Sequence, residues 1–137
     1  MRFRGQAAIV TGAARGMDRA IAEAFAREGV TVALWSRTPE RFGHAAVEIG
    51  GGAFAVSCDV GSALQVENAF AHNVECVGRV HVRVSAVNPG YARTYMTIQC
   101  FPPKQQAFLT KGFIRAPLRR IVEPSEVANA FTFRASR

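Results

Sequence analysis

A glycine-rich turn near the amino terminus carries the clearest chemistry in the sequence. The apolar run Ala7-Ala8-Ile9-Val10 leads into Thr11-Gly12-Ala13-Ala14-Arg15-Gly16-Met17-Asp18, and a helical pattern follows at once. Because glycine has no Cβ, the backbone there can approach a phosphate closely. The amino end of a helix adds unpaired N–H donors and a favourable dipole. A strand, this turn and a helix in sequence therefore predict a dinucleotide pyrophosphate site at Gly12, Arg15, Gly16 and Met17.

The elements that must position this turn alternate between strands and helices. Apolar runs bounded by glycine and polar residues predict strands at 7–10, 30–35 and 53–58. Apolar residues at helical spacing predict helices at 17–28, 39–49 and 63–77. Thr38-Pro39 is a typical helix start, and the capping box Ser62-Ala63-Leu64-Gln65 begins the third helix. Three consecutive strand–helix units are thus expected.

The rest of the chain predicts one more strand and two more helices. Residues 80–84 alternate between valine and polar side chains, which is typical of an edge strand with one solvated face. Residues 94–118 predict a loop with one short helix, and Glu123-Pro124-Ser125-Glu126 begins the last helix. Strands alternating with helices imply parallel pairing. We expect an α/β fold: a truncated, Rossmann-like parallel sheet of about four strands with helices on both faces, in a single domain over residues 1–137.

Composition argues against several other classes of protein. The 137 residues contain no apolar stretch near the ~20 residues that cross a bilayer, and no leader pattern precedes the first strand, so we expect a cytoplasmic protein without a membrane partner. The three cysteines and three histidines lie at no metal-ligand spacing, so no metal site is expected. The net charge of +7 lies mostly in the last third. Its basic residues are scattered singly except for Arg119-Arg120, which argues against a nucleic-acid partner.

The glycine turn resembles the T-G-x-x-x-G-x-G motif of the short-chain dehydrogenase/reductase family. Thr11, Gly12 and Gly16 match that motif, whereas Asp18 replaces its third glycine. We expect the Asp18 carboxylate to accept the helix-end N–H bonds that a phosphate would use, and so to weaken nucleotide binding. The alternative is that Asp18 only favours the helix dipole from outside the site.

Two other strand ends resemble the family's adenosine site. Members that prefer NAD usually carry an acid after the second strand, where this chain has Ser36-Arg37. Arg15 and Arg37 would converge on a 2′-phosphate, so NADP(H) is the expected cofactor. NAD(H) is the alternative, with Arg37 as a solvated arginine. Asp59-Val60 matches the family's adenine-binding position after the third strand, the alternative being turn chemistry before Gly61-Ser62.

The resemblance falls into two blocks around a gap. Residues 1–82 resemble the family's N-terminal half, and residues 83–137 its nicotinamide-side and C-terminal region. Pro89, Gly90 and Thr94 are similar to the family's nicotinamide-side motif, although joining the blocks would displace this loop by roughly 10 Å. The family's central segment, with its catalytic Ser and Tyr-x-x-x-Lys, is missing, as is its C-terminal strand. The helices that usually form the family's dimer are missing too, so the sequence does not decide whether the chain forms a homo-oligomer.

Two functions follow from the sequence. By resemblance, the chain is an NADP(H)-dependent oxidoreductase that moves a hydride to or from a carbonyl or alcohol substrate. Its only lysines are Lys104 and Lys111, and neither Tyr91 nor Tyr95 is followed by a lysine four positions later, so no catalytic residue is assigned. The alternative is therefore a catalytically inactive remnant that binds a nucleotide weakly.

Overall fold

A computed structural model describes residues 1–78, 87, 89–101, 105 and 120–136. In chain order the elements are β1 (Ala7–Thr11), α1 (Gly16–Arg27), β2 (Thr31–Ser36), α2 (Pro39–Ile49), β3 (Phe54–Ser57), α3 (Ala63–Val77), α4 (Tyr95–Cys100) and α5 (Pro124–Ala135). Up to α3, each bound lies within one residue of its prediction. The fourth strand predicted at 80–84 lies outside the described residues.

The described strands form one parallel sheet with β2 at its centre. β1 pairs with β2 so that Val10 lies opposite Leu34, and β2 pairs with β3 so that Leu34 lies opposite Ala55. The sheet order among these strands is β1-β2-β3. The predicted α/β fold with a parallel sheet is therefore confirmed, and the ends of β1, β2 and β3 meet at one edge, where the glycine turn begins.

β2 holds the core together because both of its faces are buried. Val32 and Leu34 are fully buried among side chains of α1 and α2. Ala33 and Trp35 point to the opposite face, where they pack with β3 and with Ala69 of α3. Side chains alternate across a strand, so helices on both faces require apolar residues at every position. The continuous apolar run in the sequence thus matches the position of β2.

Local capping differs in detail from the predicted patterns. Ser62 Oγ accepts a hydrogen bond from Gln65 N at 3.5 Å, as a capping box requires. The Gln65 side chain, however, accepts from Asp59 N at 2.9 Å and not from Ser62. Thr38 precedes α2 but makes no side-chain cap. The start of α5 is as predicted, because Glu126 Oε2 accepts from Glu123 N at 2.8 Å.

α5 packs directly on α1. Ile21 and Ala24 of α1 are buried with Ala128 of α5, whose side chain has no exposed surface. Alanines at a helix crossing allow close approach, because only a methyl group separates each backbone from its neighbour. The C-terminal block is therefore docked on the helix that begins at the glycine turn.

α3 is less completely buried than the other two helices of the first block. Its buried residues are Ala69 and Asn73, whereas Leu64, Phe70 and Val74 are exposed. In the described part of the chain, the Asn73 amide and Trp35 Nε1 are buried without a hydrogen-bond partner. None of the helices described here is long and apolar enough to cross a membrane.

The docking of α5 can be tested by overfilling its contact with α1. Ala128→Leu forces three extra carbon atoms into a fully buried site, so we expect it to lower the free energy of unfolding in urea by about 1–3 kcal/mol. Asn129→Leu introduces the same side chain at the neighbouring exposed position and is expected to change stability by less than about 0.5 kcal/mol. Equal effects of the two substitutions would contradict the packing of α5 on α1.

Candidate functional site

The glycine turn joins β1 to α1 with a backbone that favours glycine. Gly12 and Gly16 have φ angles of 72° and 71°, a region that side chains with a Cβ rarely adopt. Between them, Arg15 is the N-cap of α1, with an extended backbone and no side-chain cap. The first amides of α1 therefore have no side chain capping them, which is the arrangement that an anion can use.

The turn is tied to the end of β2. Gly12 N donates a hydrogen bond to Trp35 O at 3.2 Å, so Ser36 lies beside the start of the turn. Ser36 is half-buried, and its Oγ accepts from Thr38 N at 3.0 Å. Arg37 is exposed and forms no ion pair or hydrogen bond with any residue that the structure describes. Its guanidinium is thus available to a ligand at this strand end.

The carboxyl group of Asp18 lies within the turn. A Cβ on Gly12 would be 3.2 Å from Asp18 Oδ2, so the side chain folds back toward the space that the glycine leaves open. Although the residue as a whole is exposed, burial of its carboxyl group raises the pKa of Asp18. No helix-end N–H donates to it among the described residues, which differs from the bond expected from the sequence. Asp18 therefore acts as a negative charge in the turn and not as a cap.

Asp59 is held in a turn after β3. Its Oδ1 accepts from Gly61 N at 3.0 Å, and its own N–H donates to Gln65 as described above. Cys58 N donates to Ser36 O at 2.8 Å, which places Asp59 next to the end of β2. Val60 is exposed. Asp59 thus makes the turn hydrogen bond that was the alternative to adenine binding. The other oxygen of this half-buried carboxylate, Oδ2, has no hydrogen bond within the described ranges.

The segment from Pro89 to Thr94 reaches the glycine turn from the other block. Arg93 N donates to Val122 O at 2.9 Å and Val122 N to Tyr91 O at 3.1 Å, so this segment runs beside the one that leads into α5. Thr94 caps α4, and its Cγ2 would lie 3.8 Å from a Cβ on Gly16. Pro89 is half-buried and Gly90 is exposed. Of these three predicted residues, Thr94 is thus brought to the turn.

The next residue, Tyr95, makes a contact that the sequence did not indicate. The Arg15 guanidinium carbon lies 5.4 Å from the centre of the Tyr95 ring, within the range of a cation–π interaction. Arg15 therefore makes a cation–π contact with Tyr95 of α4. Since the two residues are far apart in sequence and the contact depends on how α4 is placed, no local pattern predicts it.

The site thus combines a helix start without a side-chain cap, two arginines and two carboxylates at one edge of a parallel sheet. Met17 lies in the first turn of α1 and is half-buried. In the described part of the chain, no three histidine, cysteine or acidic side chains lie together as a metal site would need. Burial, together with the Asp59 charge, raises the pKa of the Cys58 thiol, which lowers the fraction of reactive thiolate.

Comparison of the sequence with known proteins identifies the family to which this chain is similar. The sequence model of the family described as short chain dehydrogenase matches residues 6–82. Sorbitol dehydrogenase of Cereibacter sphaeroides is 36% identical over 85 residues, which cover 62% of this chain and 33% of that protein. The chain spans about a third of the length of the curated relatives that it matches first.

Solved structures agree with this assignment. A hydroxysteroid dehydrogenase from Escherichia coli has the same fold, with a TM-score of 0.80 at 18% identity over 96% of this chain and 90% of that chain. A 3-ketoacyl-(acyl-carrier-protein) reductase from Brucella melitensis, complexed with NADH, has a TM-score of 0.54 at 31% identity over 57% of this chain and 32% of that chain. The chain therefore belongs to the short-chain dehydrogenase/reductase family.

Proposed function

We propose that this chain binds NADP(H), in preference to NAD(H), across the glycine turn and the ends of β2 and β3. The observation that carries the proposal is the turn itself: two glycines with positive φ lead into a helix start without a side-chain cap. A pyrophosphate placed there would accept hydrogen bonds from the first amides of α1. The reductase complexed with NADH is similar to this chain over 57% of its length.

The adenosine half of the nucleotide would lie against β2 and β3. Arg37 has no partner in the described structure and Ser36 carries no negative charge, so a 2′-phosphate meets a guanidinium and no opposing acid. Arg15 supplies the second guanidinium. Asp59 Oδ2 would accept the adenine amino group while Oδ1 keeps its bond to Gly61, because a carboxylate has room for several donors. Val60 would line the adenine pocket.

The nicotinamide half would lie toward Pro89, Gly90 and Thr94. Thr94 already lies against Gly16, so a ligand on the α1 amides would extend toward this segment. When bound, the nicotinamide supplies or accepts a hydride, and a carbonyl or alcohol is the substrate class proposed from the family. The residues of this chain would bind and orient the ring.

A titration with NADPH and NADH tests the proposed preference. We expect saturable quenching or enhancement of nucleotide fluorescence with tighter binding of NADPH. Arg37→Ala removes a charge-assisted bond to the 2′-phosphate and should weaken NADPH about tenfold without changing NADH.

The matched control is Arg27→Ala. Arg27 is an exposed arginine in the last turn of α1, at the end of the helix away from the glycine turn, so its loss should leave both affinities unchanged. Equal binding of the two nucleotides by the native chain would refute the NADP(H) preference, and no binding of either would refute the site.

Asp18 predicts a pH dependence of nucleotide binding. The charged carboxylate repels an anionic pyrophosphate, and its raised pKa means that it gains its proton at a higher pH than an ordinary aspartate. Affinity should therefore increase as pH falls through this pKa and decrease as pH rises through it. NADH is the suitable ligand, because NADPH carries a phosphomonoester that itself titrates near pH ~6.

The variants Asp18→Asn and Asp18→Gly separate this effect from other titrations. We expect both to bind NADH more tightly at neutral pH, by about fivefold, since removal of one like charge near the pyrophosphate is worth about 1 kcal/mol. Their affinity should lose the pH dependence attributed to Asp18. A native-like pH profile in Asp18→Asn would show that this carboxyl group does not face the ligand.

A second candidate function is nucleotide binding without turnover. It is favoured by the sequence, because no lysine follows Tyr91 or Tyr95 at the family spacing. Of the two lysines, neither Lys104 nor Lys111 lies in the described residues. The family reaction needs a tyrosine proton shared with the substrate oxygen and a lysine that lowers the tyrosine pKa.

An assay of NADPH oxidation decides whether the bound nucleotide also reacts with a substrate. With a panel of ketones and aldehydes, we expect the 137-residue chain to consume NADPH no faster than buffer does, while fluorescence shows that the nucleotide is bound. A substrate that accelerates NADPH loss, with a rate that saturates as its concentration rises, would establish turnover and exclude the second candidate. Asp18→Gly should be assayed in parallel, so that weak binding is not mistaken for absent chemistry.

A further inference from the structure

Thr94, the N-cap of α4, and Tyr95, its first residue, contact the glycine turn at its second glycine and at the arginine before it. Thr94 lies against Gly16, and the ring of Tyr95 lies under the guanidinium of Arg15. Arg15 and Gly16 are adjacent in sequence, as are Thr94 and Tyr95. One short segment of the C-terminal block therefore contacts the turn at two successive positions.

The contact with Tyr95 leaves the N–H groups of Arg15 available to other acceptors. A cation–π contact uses the face of the ring and the positive charge, and it consumes none of the five guanidinium donors. Arg15 forms no salt bridge or hydrogen bond with the described residues, and it is exposed. An arginine held in this way keeps its donors for a phosphate and loses less rotamer freedom on binding than a free side chain does.

The tyrosine ring is itself fixed by α4. Gln99, one helical turn later, donates a hydrogen bond to Tyr95 Oη. Thr94 accepts from Thr97 N at 3.3 Å and so anchors the amino end of the same helix. The cap and the bond to Gln99 therefore restrict the orientation of the Tyr95 ring, although the residue is 56% exposed.

We propose that Tyr95 is a positioning residue that holds the Arg15 guanidinium ready for the 2′-phosphate, and so helps to set the selectivity between NADPH and NADH. This inference rests on the proposed function. Tyr95 acts only through Arg15 and is not assigned any contact with the reacting atoms. The ring face is what matters, and the hydroxyl serves only to orient the ring through Gln99.

The test compares Tyr95→Ala, Tyr95→Phe, Arg15→Ala and the double variant Tyr95→Ala/Arg15→Ala. Dissociation constants for NADPH and NADH are measured for each, with thermal unfolding of the free proteins as a check on folding. We expect Tyr95→Ala to weaken NADPH about two- to fivefold while NADH stays unchanged. Tyr95→Phe keeps the aromatic face and should retain the native ratio. In the Arg15→Ala background, Tyr95→Ala should have no further effect, because the two residues act as one unit.

A second measurement observes the contact without nucleotide. The Arg15 Nε–H resonance should carry a ring-current shift in the native chain and in Tyr95→Phe, and lose it in Tyr95→Ala. A loss of NADPH and NADH affinity by the same factor would show a merely structural role and overturn the inference, as would additive effects in the double variant. These results leave the proposed function intact, provided that the native chain prefers NADPH. If the native chain shows no such preference, the proposed function fails first and the selectivity role fails with it.

Discussion

The close packing of α5 on α1 is the constraint on which the contact between the glycine turn and the Thr94–Tyr95 segment depends. Ala24 and Ala128 are both buried at this crossing, so the two helices are held by contacts that admit little extra volume. α5 follows directly after Val122, which pairs with the segment that leads into Thr94. The packing of α5 on α1 and the pairing of Val122 therefore connect the segment that leads into α4 to the helix that begins at the glycine turn. α5 itself supplies none of the residues assigned to the site.

Two negative groups, the Asp18 carboxylate and a bound phosphate, would share the positive amino end of α1. The positive end of the α1 dipole favours a negative charge in the first turn, and Asp18 provides one within the chain. Burial of the carboxyl group raises the pKa of Asp18, so desolvation disfavours its charged form. A phosphate would use the same field and the same amides. Any nucleotide that binds must therefore tolerate a nearby carboxylate, which the family's glycine at this position would not impose.

Local patterns in the sequence predicted the strands, the helices and the turn, because each of these segments depends mainly on neighbours within a few residues. The run that became β2 is buried on both faces, and a continuous apolar stretch is its direct signature. Contacts between the blocks had no such signature. Arg15 and Tyr95 are 80 positions apart, and their cation–π contact joins the two blocks of the chain. Even locally, Gln65 was drawn to the Asp59 amide, because the turn after β3 offers a donor that a capping box does not anticipate.

The adenosine half shows why residue identity alone does not separate turn from ligand. Ser36 and Asp59 both match positions expected to face a nucleotide, yet each already satisfies a backbone N–H of its own turn. Such residues would be retained by the fold even if no ligand bound, so their presence has little diagnostic value. Arg37 differs, because it is exposed at the same strand end and no described residue gives it a structural partner. Of the polar residues expected at this half of the site, Arg37 is therefore the one whose side chain is not already engaged by a described neighbour, and the proposed selectivity depends on it.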